Sequence, residues 1–398
     1  MNDFGEPVEL REAGVAVLDC EHKTPVARLT GHPYVAIPDV VGGRIDLTSA
    51  RRISDSDLKE WTRRTKPSPG DVLVTRRGRV GDTAIIPPNV ACAIGQNLVL
   101  LRSDGRQIRQ DYLRWAARSP QWWAEVDRLR NVGAIFSSLN VRDIARIRIP
   151  LPPLSDQATI AEVLAALDDK IAANAQIARS ALRLAGSLFD RELERAIPVR
   201  LEDVSTIVLG GTPAKARTDF WSNGTIPWMA SGKANEERIL RPTSLITSEA
   251  LTQSAAKLMP RGATVVAITG ATLGQISRLE IEACGNQSLV GIWGASTWDS
   301  DWLYFAIRSE RDQLLRGATG AAQQHVNKAD VENLQVPWVD EPVRRDWGAV
   351  AGKLLERARQ ADVESHSITE LRDTLLPELM SGRLRVMDAE RLTRGQVG

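Results

Sequence analysis

At 398 residues the chain exceeds what one ordinary core organises, and at roughly 150 residues per domain it calls for two or three. With 43% apolar and 25% charged residues it reads as soluble and globular, which excludes a disordered chain. The 51 Lys and Arg nearly cancel 50 Asp and Glu, so no overall positive field marks a nucleic-acid binder and any basic surface must be local.

In chain order, the first part alternates short Val, Ile and Leu runs with Gly and Pro, as in Asp71-Val72-Leu73-Val74, which predicts strands and turns. One helix is expected near 111–130. From 155 to 197 apolar residues recur at Ile160, Val163, Leu164, Leu167, Ile171, Ala175, Ala178, Leu182, Ala185, Leu188 and Phe189, the three-four spacing of a helix with one apolar stripe. Pro152 and Pro153 precede it, Ser155 is positioned to cap its first turn with Asp156 beside it, and Pro198 is expected to end it. A second strand-rich part follows, with a helix expected near 300–315. The last long helix is expected from about 342 to 380, through Trp347, Val350, Leu354, Leu355, Ala358, Val363, Ile368, Leu371, Leu375 and Leu376. Pro377 is placed to kink or end its last turn, and Gly382 to stop it.

The two parts are copies. Pro33 to Ile45 returns as Pro227 to Ile239 with Pro, Ala, Arg and Ile shared at an offset of 194, and 70–81 returns as 262–274 with one residue inserted. Cys92 and Gln96-Asn97-Leu98-Val99 return as Cys284 and Gln287-Ser288-Leu289-Val290, and 111–119 (DYLRWAARS) returns as 301–309 (DWLYFAIRS). Asn140, Asp143 and Pro150 match Asn327, Asp330 and Pro337 at a constant offset of 187. Six collinear matches indicate a tandem duplication.

A helix of about 40 residues spans about 60 Å, more than a domain of this size requires, so its stripe needs a partner helix. The other copy supplies one, with Ile160, Leu164, Leu167, Ile171, Leu354, Leu371 and Leu375 as the candidate partner-helix interface. The expected fold is α+β: two strand-rich domains joined by two long antiparallel coiled-coil helices. The expected boundaries are 1–152, a central helix 153–198, a second domain 199–340, a C-terminal helix 341–385 and a tail 386–398. Two helices each packed on its own domain is the alternative.

Catalytic and metal signatures are missing. Cys20, Cys92 and Cys284 are far apart and the four His (His22, His32, His325, His366) form no ligand spacing, which argues against zinc and disulfides. Ser231-Gly232-Lys233-Ala234 lacks the first glycine and the Ser or Thr of a phosphate loop, and 209–213 and 270–274 read as turns. No amino-methyltransferase, nucleophile-elbow or zinc-protease motif occurs. The N-terminus lacks a basic stretch followed by an apolar run, and nowhere do about 18 uncharged apolar residues occur together, so a cytoplasmic protein outside the membrane is expected.

What remains is a reading surface. Arg76, Arg77 and Arg79 surround Gly78 between two strands, with Arg51, Arg52, Arg63, Arg64 and Lys66 upstream. Arginine forks onto guanine edges or clamps phosphate, and a glycine turn lets a loop approach a groove. An ordinary solvated arginine cluster fits equally well. The same loop in the second copy carries Thr269, Thr272 and Gln275, so two readers of different short sequences are indicated. Gln96, Asn97, Lys233 and Asn235 complete the candidate DNA contacts, although turn or capping roles compete for the amides. Trp61, Trp115, Trp122, Trp123, Trp228, Trp302 and Trp338 are expected in cores rather than as base-stacking platforms.

The stretch 149–157 (IPLPPLSDQ) followed by 160–171 (IAEVLAALDDKI) resembles the central conserved region of type I restriction-modification specificity subunits. The stretch 371–382 (LRDTLLPELMSG) resembles that family's C-terminal conserved region, and Gly210-Gly211-Thr212-Pro213 with Ile226-Pro227-Trp228 a common opening of its target recognition domains. The resemblance implies a non-catalytic bacterial or archaeal protein that reads a split target in double-stranded DNA. It implies two partner methyltransferase subunits that modify adenine with S-adenosylmethionine, and allows a restriction (translocase) subunit. At 338–342 the usual proline-rich opening of the second spacer is lost. A standalone nuclease or methyltransferase fused to a recognition module, and an interaction scaffold with no DNA role, are the competing readings.

Overall fold

The computed structural model describes residues 4, 6–132, 137–316 and 325–384; the tail expected at 386–398 lies outside them. The chain packs as two units, Met1–Ile171 with Ser367–Gly398, and Ala172–His366. The division falls inside the two long helices, because each contributes one segment to each unit.

In the first unit, the apolar runs read from the sequence form a four-stranded antiparallel sheet in the order Val15–Asp19, Leu98–Ser103, Val72–Thr75, Thr83–Ile85. Val72 to Thr75 are buried at every position, as a strand covered on both faces requires. A smaller sheet sets His32–Val35 between Arg51–Ile53 and, in parallel, Ala93–Ile94. In the second unit the same order recurs as Thr206–Leu209, Leu289–Trp293, Thr264–Ala267, Ile276–Leu279, extended by Arg238–Ile239. Its smaller sheet sets Ile226–Met229 between Ser244–Ile246 and the parallel Ala283–Gly285. The duplication is therefore one of topology as well as sequence.

The helix expected near 111–130 is two, Gln110–Ala116 and Pro120–Leu129, because Ser119 caps a new start by accepting from the Trp122 amide at 3.2 Å and Pro120 occupies its first position. The region near 300–315 likewise divides into Thr297–Ser309 and Arg311–Arg316. Each copy ties its domain helix to the segment just before the long helix by an equivalent bond from a different donor. Tyr112 Oη donates to the Pro150 carbonyl at 3.0 Å, and Trp302 Nε1 to that of Pro337 at 2.9 Å. Trp115, Trp122 and Trp302 are fully buried, whereas Trp123 is 39% exposed.

The central helix is Leu154–Glu192 and the C-terminal helix Glu341–Ser381. In the first unit Ile160, Leu164 and Leu167 pack with Ile368, Leu375 and Leu379, with Ile171 and Leu371 at the margin. In the second, Ala178 and Ala181 meet Ala358 and Ala361 beside Leu354, and Ala185 and Phe189 join Trp347 and Ala351. As one helix advances the other recedes, so the segments are antiparallel, and buried positions at three-four steps make the seam of a coiled coil. The candidate interface residues thus meet the partner helix and domain core of this same chain.

Four details differ from expectation. Ser155 lies within the first helical turn; Gln157, fully buried, organises that end by donating to the Pro152 and Gln107 carbonyls at 2.8 and 2.9 Å and accepting from the Arg109 amide at 2.8 Å. The central helix stops at Glu192, followed by a tighter turn over Leu193–Arg195. Pro198 lies beyond, in the strand Ile197–Arg200 that pairs with Gln335–Trp338. Pro377 does not end the C-terminal helix, which continues to Ser381, since burial of Leu375, Leu376, Leu379 and Met380 outweighs one lost backbone bond.

An equivalent arginine fastens each domain to the helix it packs on. Arg44 Nη2 donates to the Asp168 carbonyl at 2.8 Å, and Arg238 Nη1 to the Leu355 carbonyl at 3.3 Å. The Asp168 carboxylate, itself buried, accepts from Arg114 and, at 2.6 Å, from Arg372 Nη1. In the second unit Arg238 also meets Asp362, while buried Arg278 bonds Asp301 at 2.6 Å and Glu280 at 2.8 Å.

Candidate nucleic-acid interface

The arginine loop joins Val72–Thr75 to Thr83–Ile85. Gly78 sits at φ +67°, and its counterpart turn contains Gly270 at φ +73°, a backbone region that side-chain-bearing residues rarely adopt. Arg77 and Arg79 are exposed and Arg76 is half-buried. The Arg76 amide donates to the Asn97 carbonyl at 2.8 Å, which brings the loop against the Gln96-Asn97 turn. Gln96 is exposed and Asn97 half-buried, so all five first-copy candidates gather at one end of the four-stranded sheet.

Not all five are equally free to read a ligand. Arg79 Nη2 donates to the Ile37 and Val40 carbonyls at 2.5 and 2.7 Å, and its Nε lies 3.4 Å from Asp82, so this side chain mainly fixes the loop. Burial pushes the Asp82 carboxyl up and the Arg79 charge opposes that. Arg77 is exposed, and its backbone bridges to Ser138.

The second copy builds the same junction. The Ile268 amide donates to the Ser288 carbonyl at 2.9 Å, and the Val326 amide to the Ile268 carbonyl at 2.9 Å, matching the bond from the Leu139 amide to the Arg76 carbonyl at 2.8 Å. Thr269 and Gln275 are half-buried; Thr272 is buried with its hydroxyl toward the Thr269 carbonyl, so it shapes the turn rather than facing outward. Ser231–Asn235, a tight helical turn, is anchored by Ser277 Oγ donating to the Ala234 carbonyl at 3.1 Å. It exposes Asn235, while Lys233 pairs with Glu236 at 2.7 Å. Gln287 accepts from Thr212 Oγ1 at 2.6 Å, a turn-holding role.

Sequence reasoning missed a cleft beside the first junction. About 800 Å³ in volume, it is lined by Arg28, Asp39, Arg51, Arg52, Gln96 and Asn97 among others. Arg28 stands in an irregular stretch with no periodicity to mark it. Arg51 donates to the Pro25 carbonyl at 3.0 Å and Arg52 to that of Leu47 at 3.1 Å, which secures the cleft wall. Asp39 is buried and accepts from the Ala36 amide at 2.7 Å. Among the described residues no group of three or more His, Cys, Asp or Glu could hold a metal ion, and no helix is long and apolar enough to cross a membrane.

The sequence matches the type I restriction modification DNA specificity domain twice, over residues 31–181 and 197–341. It is 22% identical over 249 residues to the type I restriction enzyme EcoR124I/EcoR124II specificity subunit of Escherichia coli, a match spanning 59% of this chain and 60% of that one. It is also 22% identical over 361 residues to the MjaIX specificity subunit of Methanocaldococcus jannaschii, covering 84% and 82% of the two chains. The crystal structure of a type I restriction-modification S subunit from M. genitalium shares the fold, with a TM-score of 0.61 at 15% identity over 96% of this chain and 97% of that one. With both copies matched, the chain belongs to the type I restriction modification DNA specificity family, the non-catalytic DNA-recognition subunits of these systems.

Proposed function

We propose that this chain reads a bipartite target in double-stranded DNA, each strand-rich domain contacting one half, and that it carries two adenine methyltransferase subunits, which supply S-adenosylmethionine chemistry. The observation that carries this reading is the repeated loop junction. Backbone bonds from 76 to 97 and from 268 to 288 hold one scaffold twice, with three arginines on one loop and Thr269, Thr272 and Gln275 on the other. Two copies of one scaffold with unlike loops suit two unlike half-sites. Arg77 serves phosphate or guanine, while Gln96, Asn97, Asn235 and Gln275 offer amides that suit adenine edges.

Linking two weak readers makes the second contact intramolecular, which raises affinity and specificity together. The helical segment between the domains then sets the gap between half-sites, and the exposed outer residues Leu154, Leu184, Val350 and Val363 offer apolar contacts for partner helices. A restriction (translocase) subunit is a further partner on the same scaffold. Adding or removing helical turns within 165–185 is expected to change the gap, read by sequencing methylated sites in cells carrying the full system. An unchanged gap overturns the spacing role.

A further inference from the structure

Leu29 is fully exposed, although the chain on either side of it is pinned. The Arg28 amide donates to the Arg52 carbonyl at 2.9 Å. Two residues beyond Leu29, Gly31 stands at φ +120°, so close to the neighbouring strand that a Cβ there would collide with the Ile53 carbonyl oxygen. Leu29 and Thr30 therefore form a short tip held at both ends against Arg51–Ile53. A leucine left in water gains nothing for the fold, and an apolar group already fixed in place loses little freedom on meeting a ligand.

The tip lines the cleft of about 800 Å³ together with Arg28, Arg51, Arg52, Gln96 and Asn97. Arg28 is exposed and pairs with no carboxylate among the described residues. Asp39, the one carboxylate in the lining, is buried and already accepts from the Ala36 amide. Three arginines against one engaged carboxylate favour a polyanion, and the amides of Gln96 and Asn97 suit adenine edges. A leucine belongs in such a lining only where the ligand offers an apolar group of its own. In the major groove of duplex DNA that group is the 5-methyl of thymine, which lies opposite every adenine.

The second copy repeats the tether with another tip. Gly224 makes the same close approach, to the Ile246 backbone, but the residues before it are Ser222 and Asn223, both exposed. Strand register puts Leu245 and Ser244 opposite Pro227 and Trp228, where the first copy has Arg52 and Arg51 opposite Pro33 and Tyr34. The apolar tip and its flanking cations belong to the first copy alone.

We propose that Leu29 is a specificity residue of the first domain, packing on the 5-methyl group of one thymine in its half-site while Arg28 holds a nearby phosphate. This role rests on the proposed reading of duplex DNA and adds the base group that the segment recognises.

The test uses the full chain with its methyltransferase subunits. The duplex carries the target found by sequencing methylated sites, with each thymine of the half-site read by residues 1–150 replaced in turn by uracil, which lacks only the methyl group. For wild type, one replacement should weaken binding about fourfold, the worth of one buried hydrocarbon group. Leu29→Ala should weaken binding to the unmodified duplex and abolish that discrimination, so that both changes together cost no more than Leu29→Ala alone. Arg28→Ala should keep the uracil effect, weaken all duplexes alike and lower the salt slope by about one. The melting temperature of Leu29→Ala should match wild type. A half-site without thymine, or no uracil effect that vanishes in Leu29→Ala, overturns the proposal. So does a fall of several degrees in melting temperature, which makes Leu29 a support of the fold. Weakened methyltransferase binding with duplex binding intact overturns it too, by making the tip a protein contact. A wild-type complex that prefers no duplex breaks the proposed function and this role with it; one that prefers its target yet ignores every uracil breaks this role alone.

Discussion

The two copies agree where backbone meets backbone and differ where side chains meet solvent or one another. Both hold the candidate reading loop by the same amide-to-carbonyl bonds, from 76 to 97 and from 268 to 288. Both use an arginine on an equivalent helix carbonyl, yet the Arg44 side chain is 47% exposed and that of Arg238 only 2%. The second copy has drawn its charges into a buried network of Arg238, Arg278, Glu280 and Asp301, while the first keeps Arg77 exposed on its loop. A duplicated scaffold thus preserves bonds that do not depend on side-chain identity, and diverges in charge.

The sharpest break of this comparison is Arg238→Ala against Arg44→Ala. Removing Arg238 strips a partner from buried Glu280 and from Asp362, and is expected to cost about 3–5 kcal/mol. Arg44→Ala, at a half-exposed site, should cost about 1 kcal/mol or less. Urea unfolding followed by tryptophan fluorescence reads both, and equal costs contradict the contrast.

Next in size is Glu125 of the first copy. Burial pushes its carboxyl up, but bonds from Arg128 at 2.6 Å and Arg148 at 2.9 Å overcome that and hold it at about 2. A depressed folded pKa gives stability that is present above the usual value of 4.5 and lost as pH falls toward about 2. Glu125→Gln should cost about 2 kcal/mol at neutral pH and flatten the acid limb of the stability curve. An unchanged acid limb means the ion pairs do not hold the helix Pro120–Leu129 to the strand Arg148–Ile149.

The smallest effects belong to the loops. Arg77→Ala should lower DNA affinity less than about tenfold and reduce the salt dependence by about one counterion, whereas Gln275→Ala should leave the salt slope unchanged and relax preference at one base pair. Binding titrations at several salt concentrations separate them; equal slopes for both variants remove the division of labour between loops.

The parts of this molecule legible in the sequence were those set by period and repetition. The three-four spacing marked both long helices, and the offsets of 187 to 194 exposed the duplication before any strand was paired. Helix ends were less legible, because they depend on tertiary partners: Gln157 organises a start that Ser155 was expected to cap, and Leu379 and Met380 carry the helix past Pro377. At the candidate reading surface the loop arginines stood out by composition, yet only the fold shows that Arg79 holds backbone carbonyls.

The central claim is that each copy reads its own half of the target. The direct test replaces residues 1–150 with the matching domain of another specificity subunit, in cells carrying the complete system, and sequences the methylated sites. One half-site should change while the other half and the gap stay the same; a change in both halves, or in neither, would contradict the account.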